Sequence, residues 1–129
     1  GVLNINILEN KKKDQLFKNF DNKIIALQWH SYEVSELNNS EVTILGSSEI
    51  TKYQIFKYKN HAYGIQFHME VDESTIFKWS KVPELKKTLE KYLGKNSISK
   101  LDLLLRNNIK EMNKNTQKLY KNFKNLMTT

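Results

Sequence analysis

The hydrophobic pattern changes its period near residue 72, and this change limits the chain to an α/β architecture. Before that point, short apolar or alternating runs rich in aromatic and β-branched residues are separated by polar segments, which is typical of β-strands. Beyond it, apolar residues recur every three or four positions, which is typical of amphipathic helices. We therefore predict strands over residues 1–71 and helices over residues 72–129 within one domain.

Five strands are predicted in the first part of the chain. Residues 1–8 alternate polar and apolar side chains, so one face of this strand is apolar. Only Asn60 and its neighbours separate the last two apolar runs, which favours a tight hairpin. We interpret the charged segment 9–15 as a loop and the segment 16–20 as a turn. The other strands are predicted over residues 23–30, 42–45, 52–59 and 61–68.

Two short helices are predicted next. Asp72 or Ser74 is a candidate N-cap of the first helix, which carries Trp79. Pro83 suits the first position of the second helix, and Gly94 ends it. The break after Gly94 joins two helices rather than two domains.

A longer helix is predicted from Ser99, where Asp102 three residues later forms a capping-box-like start. Its apolar residues recur at steps of three, four or seven over about 25 residues. This apolar stripe consists of Leu101, Leu105, Ile109, Met112, Leu119, Phe123 and Leu126. The opposite face carries Lys110, Lys114, Lys118, Lys121 and Lys124. We interpret these lysines as a solvated face, with a partner-binding surface as the alternative.

The sequence contains no cysteine, which excludes disulfides, zinc–thiolate sites and a thiol nucleophile within these residues. No apolar run approaches the roughly 18 residues of a membrane helix, and no secretory signal is visible. We therefore expect a cytoplasmic protein without membrane association. The chain begins at Gly1 rather than Met, so we interpret it as a fragment or a processed product.

The formal net charge is +7, which raises the question of a nucleic-acid partner. This charge comes from lysine, since Arg106 is the only arginine, and phosphate-binding proteins favour arginine forks. Abundant Lys, Asn, Ile and Tyr indicate the codon usage of an AT-rich genome instead. We expect no nucleic-acid partner. In the alternative of a nucleic-acid-binding protein, the lysine face of the last helix would be the binding surface.

A histidine and a glutamate stand two positions apart at the end of the last predicted strand. In extended backbone, residues i and i+2 point to the same side, so Glu70 can accept a hydrogen bond from one ring nitrogen of His68. This bond would fix the imidazole tautomer and leave the other nitrogen free to act as a base. We interpret the pair as two members of a nucleophile–base–acid triad, with a surface ion pair as the alternative.

A second predicted strand end, within residues 27–34, also carries a histidine beside aromatic residues, and the two strand ends together suggest one shared pocket. The alternative is that the Trp and Tyr of this segment have a structural role, buried at the rim of the sheet. A metal site would need His30, His68 and Glu70, because His61 lies at the far end of its strand. We expect no metal.

Two segments, in this order, resemble signatures of the class I glutamine amidotransferases. "QWHSYEV" (28–34) resembles the strand end of the family's glutamine pocket, and "YGIQFHMEV" (63–71) resembles its G-x-Q-F-H-P-E signature. The resemblance covers about residues 1–80, and the chain's ending is similar to that of stand-alone members related to the glutaminase domain of GMP synthetase. It implies an α/β, flavodoxin-like domain of which this chain is the C-terminal half, with a mixed sheet, helices and a long C-terminal amphipathic helix.

The resemblance also implies a role for each matching residue. His68 would be the general base that activates a cysteine thiol, and Glu70 would orient it. The substrate would be glutamine, whose amide is hydrolysed through a glutamyl thioester to release ammonia for a synthase, and no cofactor is implied. The positions that match the glutamine pocket are Trp29, Ser31 and Tyr32, with His30 at the same strand end in a less defined role.

Two departures from the family pattern bear on activity. Met69 replaces the usual proline between the histidine and the glutamate, at a position whose side chain does no chemistry. The family's nucleophilic cysteine and oxyanion hole belong to the first half of the domain, which residues 1–129 lack. We therefore expect this chain to be inactive alone and to need two partners, namely the missing N-terminal half and, further, a synthase subunit. The alternatives are a catalytically incomplete regulatory module and a γ-glutamyl peptidase-like hydrolase.

Overall fold

The computed structural model describes residues 1–8 and 14–128, which form a five-stranded sheet and three helices. The strands are β1 (Val2–Ile7), β2 (Lys23–Leu27), β3 (Val42–Ser47), β4 (Ile55–Tyr58) and β5 (Ala62–Ile65). The helices are α1 (Thr75–Ser80), α2 (Pro83–Leu93) and α3 (Ser97–Met127). The α/β class, the order of strands before helices and the long C-terminal helix are confirmed. The loop predicted over residues 9–15 lies mostly outside the described residues.

The sheet has the strand order β2-β1-β3-β4-β5, and every neighbouring pair is antiparallel. In the part of the chain that the structure describes, no helix connects one of these strands to the next, and parallel neighbours require such a crossover. The mixed pairing that the resemblance implies is therefore not present among the described strands. The hairpin predicted around Asn60 joins β4 to β5, where Tyr58 pairs with Ala62.

The sheet curls until its two edges meet at one point. Beyond β5 the chain leaves β4, and His68 forms an antiparallel bridge with Leu27 at the end of β2. The Leu27 N–H donates to the His68 carbonyl at 2.9 Å, and the His68 N–H donates to the Leu27 carbonyl at 2.8 Å. Because the chain changes partner here, the strand predicted over residues 61–68 ends at Ile65.

One face of the sheet packs against α3 and encloses the hydrophobic core. Ile5 and Ile55 enter it from the strands, and Leu105 and Met112 enter it from α3, all with no exposed surface. The turn over residues 16–20, predicted as a turn only, adds two buried phenylalanines to the same core. The core therefore consists of two layers, sheet and helix, joined by a hydrophobic turn.

Helix α3 begins earlier than predicted. It starts at Ser97, and its N-cap is Asn96 in the left-handed conformation with φ 66°, which asparagine tolerates better than most residues. Ser99 consequently lies inside the helix, and the predicted capping box with Asp102 is wrong. Asp102 instead accepts a hydrogen bond from Arg106 Nε one turn later, at 2.7 Å.

The apolar stripe predicted on α3 is buried along the first half of the helix, from Leu101 to Met112. Further along, Leu119 and Leu126 pack partly against the core, whereas Phe123 is 48% exposed. The lysines of the opposite face are exposed, apart from the half-buried Lys118. No helix in the described ranges is long and apolar enough to cross a bilayer.

Helix α1 begins at one of the two predicted positions, and α2 has the predicted boundaries. Ser74 is the N-cap of α1 without a side-chain cap bond, and the Asp72 carboxylate accepts the Ser74 N–H at 2.7 Å. Pro83 is the first residue of α2, and Gly94 ends that helix with φ 81°. Helix α2 buries none of its residues completely, so it lies at the periphery of the molecule.

Candidate active site

The predicted hydrogen bond between His68 and Glu70 is present. His68 Nδ1 lies 2.6 Å from Glu70 Oε1, and Glu70 Oε2 accepts the backbone N–H of Met69 at 2.9 Å. No residue in the described part of the chain bonds to the second ring nitrogen, Nε2 of His68. The imidazole is therefore oriented through one nitrogen, and the other is free for proton transfer.

The electrostatic surroundings of Glu70 keep this carboxyl group ionised. Burial by itself raises its pKa, but hydrogen bonds from His68 and from the backbone N–H groups of Glu70 and Met69, together with the charge of the imidazole, lower the pKa below the usual value. An ionised Glu70 accepts the Nδ1–H hydrogen bond at neutral pH and stabilises the imidazolium that forms when Nε2 takes a proton.

The bridge between Leu27 and His68 places the pair beside the end of β2. Trp79 from α1 packs between the two sides of this site. Its ring meets the imidazole of His68 with a centroid distance of 5.1 Å and the ring of Trp29 with a centroid distance of 5.3 Å, both edge to face. The shared site predicted from the two strand ends thus includes Trp29 and His68, and an aromatic residue from α1 completes it.

The other residues predicted for the glutamine pocket have different surroundings. His30 turns back toward its own strand, with Nε2 at 2.7 Å from Gln28 Oε1 and Nδ1 at 2.9 Å from the Tyr32 carbonyl oxygen. Ser31 is exposed, and the Tyr32 side chain is 88% exposed. Among the described residues, no hydrogen bond or ring contact joins these three side chains to His68, and Trp29 is the predicted pocket residue linked to the imidazole, through Trp79.

Three hydrogen-bonded polar side chains support the end of β2, namely the buried Gln28 and Gln54 and the half-buried Ser48. No sequence pattern indicated this group. Gln54 Nε2 donates to Gln28 Oε1 at 3.2 Å and to Ser48 Oγ at 3.0 Å. Gln54 has no exposed surface, and neither its Oε1 nor Nε2 of Gln28 has a hydrogen-bond partner in the described structure.

The described residues contain no group of three or more His, Asp or Glu side chains arranged to hold a metal ion. The nitrogens of His30 face Gln28 and Tyr32 rather than His68, so the combination of His30, His68 and Glu70 considered for a metal does not converge. The site therefore presents an imidazole bonded to a carboxylate, and the sequence contains no thiol.

Comparison with known proteins shows similarity to one family. The family model of the class-I glutamine amidotransferases matches residues 2–77, which include both sides of the site. One subunit of the glutamine-hydrolyzing GMP synthase of Methanococcus vannielii is 37% identical over 65 residues, which are 50% of this chain and 34% of that protein.

Two solved structures share the fold. A crystal structure of a glutamine amidotransferase from Thermotoga maritima matches with a TM-score of 0.72 and 24% identity over 94% of this chain and 48% of its own. The crystal structure of SMU.1228c matches with a TM-score of 0.66 and 18% identity over 98% of this chain and 51% of its own.

The matched family model covers more than half of the residues, and the fold agrees with that of a glutamine amidotransferase. The chain belongs to the class I glutamine amidotransferases. It spans about a third of the length of the curated relative and about half of the length of each solved chain, at 34%, 48% and 51%.

Proposed function

We propose that this chain is the His–Glu half of a glutamine amidotransferase active site that hydrolyses the side-chain amide of glutamine. The observation that carries the proposal is the 2.6 Å hydrogen bond between His68 Nδ1 and Glu70 Oε1, beside the end of β2 and with Nε2 unoccupied by any described residue. A surface ion pair alone would not require the chain to bring this imidazole against Trp79, which also contacts Trp29.

The chemistry requires a cysteine from outside these 129 residues. His68 Nε2 would take the proton of this thiol, and the thiolate would attack the amide carbon of glutamine. The imidazolium would then give its proton to the departing nitrogen, so that ammonia leaves and a glutamyl thioester remains. His68 would next take a proton from a water molecule, whose oxygen attacks the thioester to release glutamate and restore the thiol. Glu70 would stabilise the imidazolium in both halves of the reaction.

The end of β2 would hold the amino-acid end of glutamine. Trp29 would form one wall of the pocket, because it is the residue of this segment joined to His68 through Trp79. The backbone of residues 29–32 would contribute polar contacts, with the Ser31 and Tyr32 side chains at the rim. His30 would keep this backbone in place through its contacts with Gln28 and with the Tyr32 carbonyl oxygen.

The proposed partner is the segment that carries the cysteine and the oxyanion hole, either as another chain or as another part of the same protein. The curated relative is one component of a glutamine-hydrolyzing GMP synthase. By analogy, ammonia would pass to a synthase partner, and residues 1–129 would be part of the glutaminase domain. A catalytically incomplete regulatory module is the second candidate function, in which no cysteine-bearing segment would join these residues.

The test combines the chain with a cysteine-bearing N-terminal half taken from a class I relative and measures ammonia release from glutamine. We expect His68→Ala to lower the rate by about 10⁴-fold, as the loss of a triad member does. His61→Ala is the matched control, because His61 lies in the exposed β4–β5 turn and should leave the rate unchanged. Equal rates for the parent and His68→Ala would overturn the proposal, and a correctly assembled but inactive parent would support the regulatory module.

A further inference from the structure

We propose that Trp79 is a positioning residue, which holds the His68 imidazole at the angle required for proton transfer and couples it to the pocket residue Trp29. This inference rests on the function proposed above. The sequence pattern places Trp79 on a short helix and gives it no role, and neither signature segment contains it.

The geometry of the three rings carries the proposal. The Trp79 and His68 rings are inclined by 71° at a centroid distance of 5.1 Å, and the Trp79 and Trp29 rings are inclined by 77° at 5.3 Å. Edge-to-face contact is the preferred arrangement of such rings, because the positive edge of one ring faces the electron-rich face of the other. One indole therefore contacts both the imidazole and the pocket wall.

His68 needs a second constraint beyond its hydrogen bond to Glu70. The bond at Nδ1 selects the tautomer, but a ring held at one atom can still tilt about that bond. The His68 side chain is 35% exposed, and Glu70 is 62% exposed, so solvent does not restrict this motion. The contact with Trp79 blocks the tilt from one side, which keeps Nε2 directed at a fixed point.

Helix α1 is firmly anchored, so Trp79 is a rigid support. Ile76, which lies on the same helix, is completely buried in the core. Just before the helix, the guanidinium of Arg106 on α3 donates to the Glu73 carboxylate at 3.1 Å and to the Glu73 carbonyl at 3.0 Å. Hydrogen bonds from Ser74 lower the pKa of the Asp72 carboxyl to about 2, so this carboxylate before the helix stays ionised.

Phe77 provides a natural contrast on the same helix. It is 62% exposed, and its ring contacts the ammonium of Lys81, which lies 4.6 Å from the ring centroid. A general effect of losing an aromatic side chain from α1 would appear equally at Phe77 and Trp79. An effect that depends on ring contact with His68 would appear at Trp79 alone.

The first measurement tests the contact in the 129-residue chain, without requiring activity. The chain has two tryptophans, so Trp29→Phe leaves Trp79 as the single indole. A protonated imidazole quenches the fluorescence of an adjacent indole. We expect Trp79 emission to fall as His68 protonates, His68→Gln to abolish this titration and His30→Gln to leave it intact. A titration that survives His68→Gln would overturn the proposal.

The second measurement tests positioning in the completed domain. Misplacing a catalytic group by about 1 Å can cost about 10²-fold in rate. We therefore expect Trp79→Leu, which keeps an apolar side chain in the fold, to lower kcat by roughly 10- to 100-fold with a smaller change in KM. Trp79→Phe should recover most of kcat, and Phe77→Leu should match the parent.

The two measurements separate the proposals. If His68→Ala stops turnover but a folded Trp79→Leu protein keeps the parent kcat, the positioning role is wrong and the proposed function stands. If no His68-dependent turnover is found in an assembled domain, the proposed function fails, although the fluorescence titration still establishes the contact. Circular dichroism of each variant identifies a loss of folding. If Trp79→Leu does not fold, the kcat of Trp79→Phe is compared with that of the parent instead.

Discussion

The ring of Phe56 occupies the space that a side chain at Gly64 would need. The two residues are partners across the β4–β5 hairpin, and a Cβ at Gly64 would lie 2.2 Å from Phe56 Cζ. This gives a physical reason for the glycine that opens the G-x-Q-F-H part of the signature. The contact keeps the hairpin closely packed immediately before the chain turns to reach His68.

We predict that Gly64→Ala destabilises the fold by about 1–3 kcal/mol, because the added methyl group forces the Phe56 ring out of its place. Urea unfolding monitored by circular dichroism measures the change. In a Phe56→Ala background the same substitution should cost less, since the space is then open. An equal cost in both backgrounds would show that the ring is not the obstacle.

The hydrogen bonds of Glu70 make stability depend on pH in a defined direction. The pKa of Glu70 is lowered in the folded state, so its contribution to stability is present above the unfolded value of about 4.3 and is lost as the pH falls through the folded pKa. We predict that the parent is more stable than Glu70→Gln at pH 6 and that this difference shrinks toward pH 3.

The effect should stay below about 1 kcal/mol, because the Glu70 side chain is 62% exposed and solvent screens the pair. Chemical denaturation at several pH values measures it, with Glu49→Gln as the control on an exposed carboxyl group that no described contact joins to His68. A stability difference that grows as the pH falls would contradict the assigned bonding of Glu70.

An open cavity on the outer side of the sheet is where we predict that the proposed cysteine-bearing half attaches. Val2, Ile25 and the 70% exposed Ile50 line this cavity of about 290 Å³ beside β1 and β2, together with polar residues that include Asn4 and Lys23. Exposed apolar side chains rimmed by polar residues are typical of an interaction site. We predict that the 129-residue chain binds a hydrophobic-surface dye or aggregates, and that the cysteine-bearing half suppresses both.

The matched comparison is Ile50→Asn against Leu103→Asn, since Leu103 is 61% exposed on α3, away from this cavity. The Ile50 change should weaken association with the added half, whereas the Leu103 change should not. A monomeric chain that melts cooperatively without dye binding would contradict the prediction.

Local patterns in the sequence were sufficient to predict the strands and helices and one contact of the candidate site. Two-residue spacing in extended backbone correctly predicted the bond between His68 and Glu70, and Pro83 and Gly94 correctly marked a helix. The same approach failed at Ser99, because the left-handed Asn96 starts the helix earlier and a side-chain motif does not report backbone conformation.

The contacts that assemble the site could not be predicted, because they join residues far apart in the sequence. Nothing in the apolar run over residues 61–68 indicates that His68 changes partner to bond with Leu27. The position of Trp79 likewise depends on how α1 packs, and the complete burial of Gln54 depends on the curl of the sheet. Short-range periodicity predicts the direction of a side chain but not the residues that it contacts.

The most direct test of the central claim is the reactivity of the cysteine that His68 would activate. In the completed domain, the rate of thiol alkylation is measured against pH for the parent and for His68→Ala. We predict that the parent thiol reacts with a midpoint well below the ordinary thiol pKa of about 8.5, and that His68→Ala returns the midpoint to that value. Identical alkylation profiles with and without His68 would contradict the assignment of this imidazole as the catalytic base.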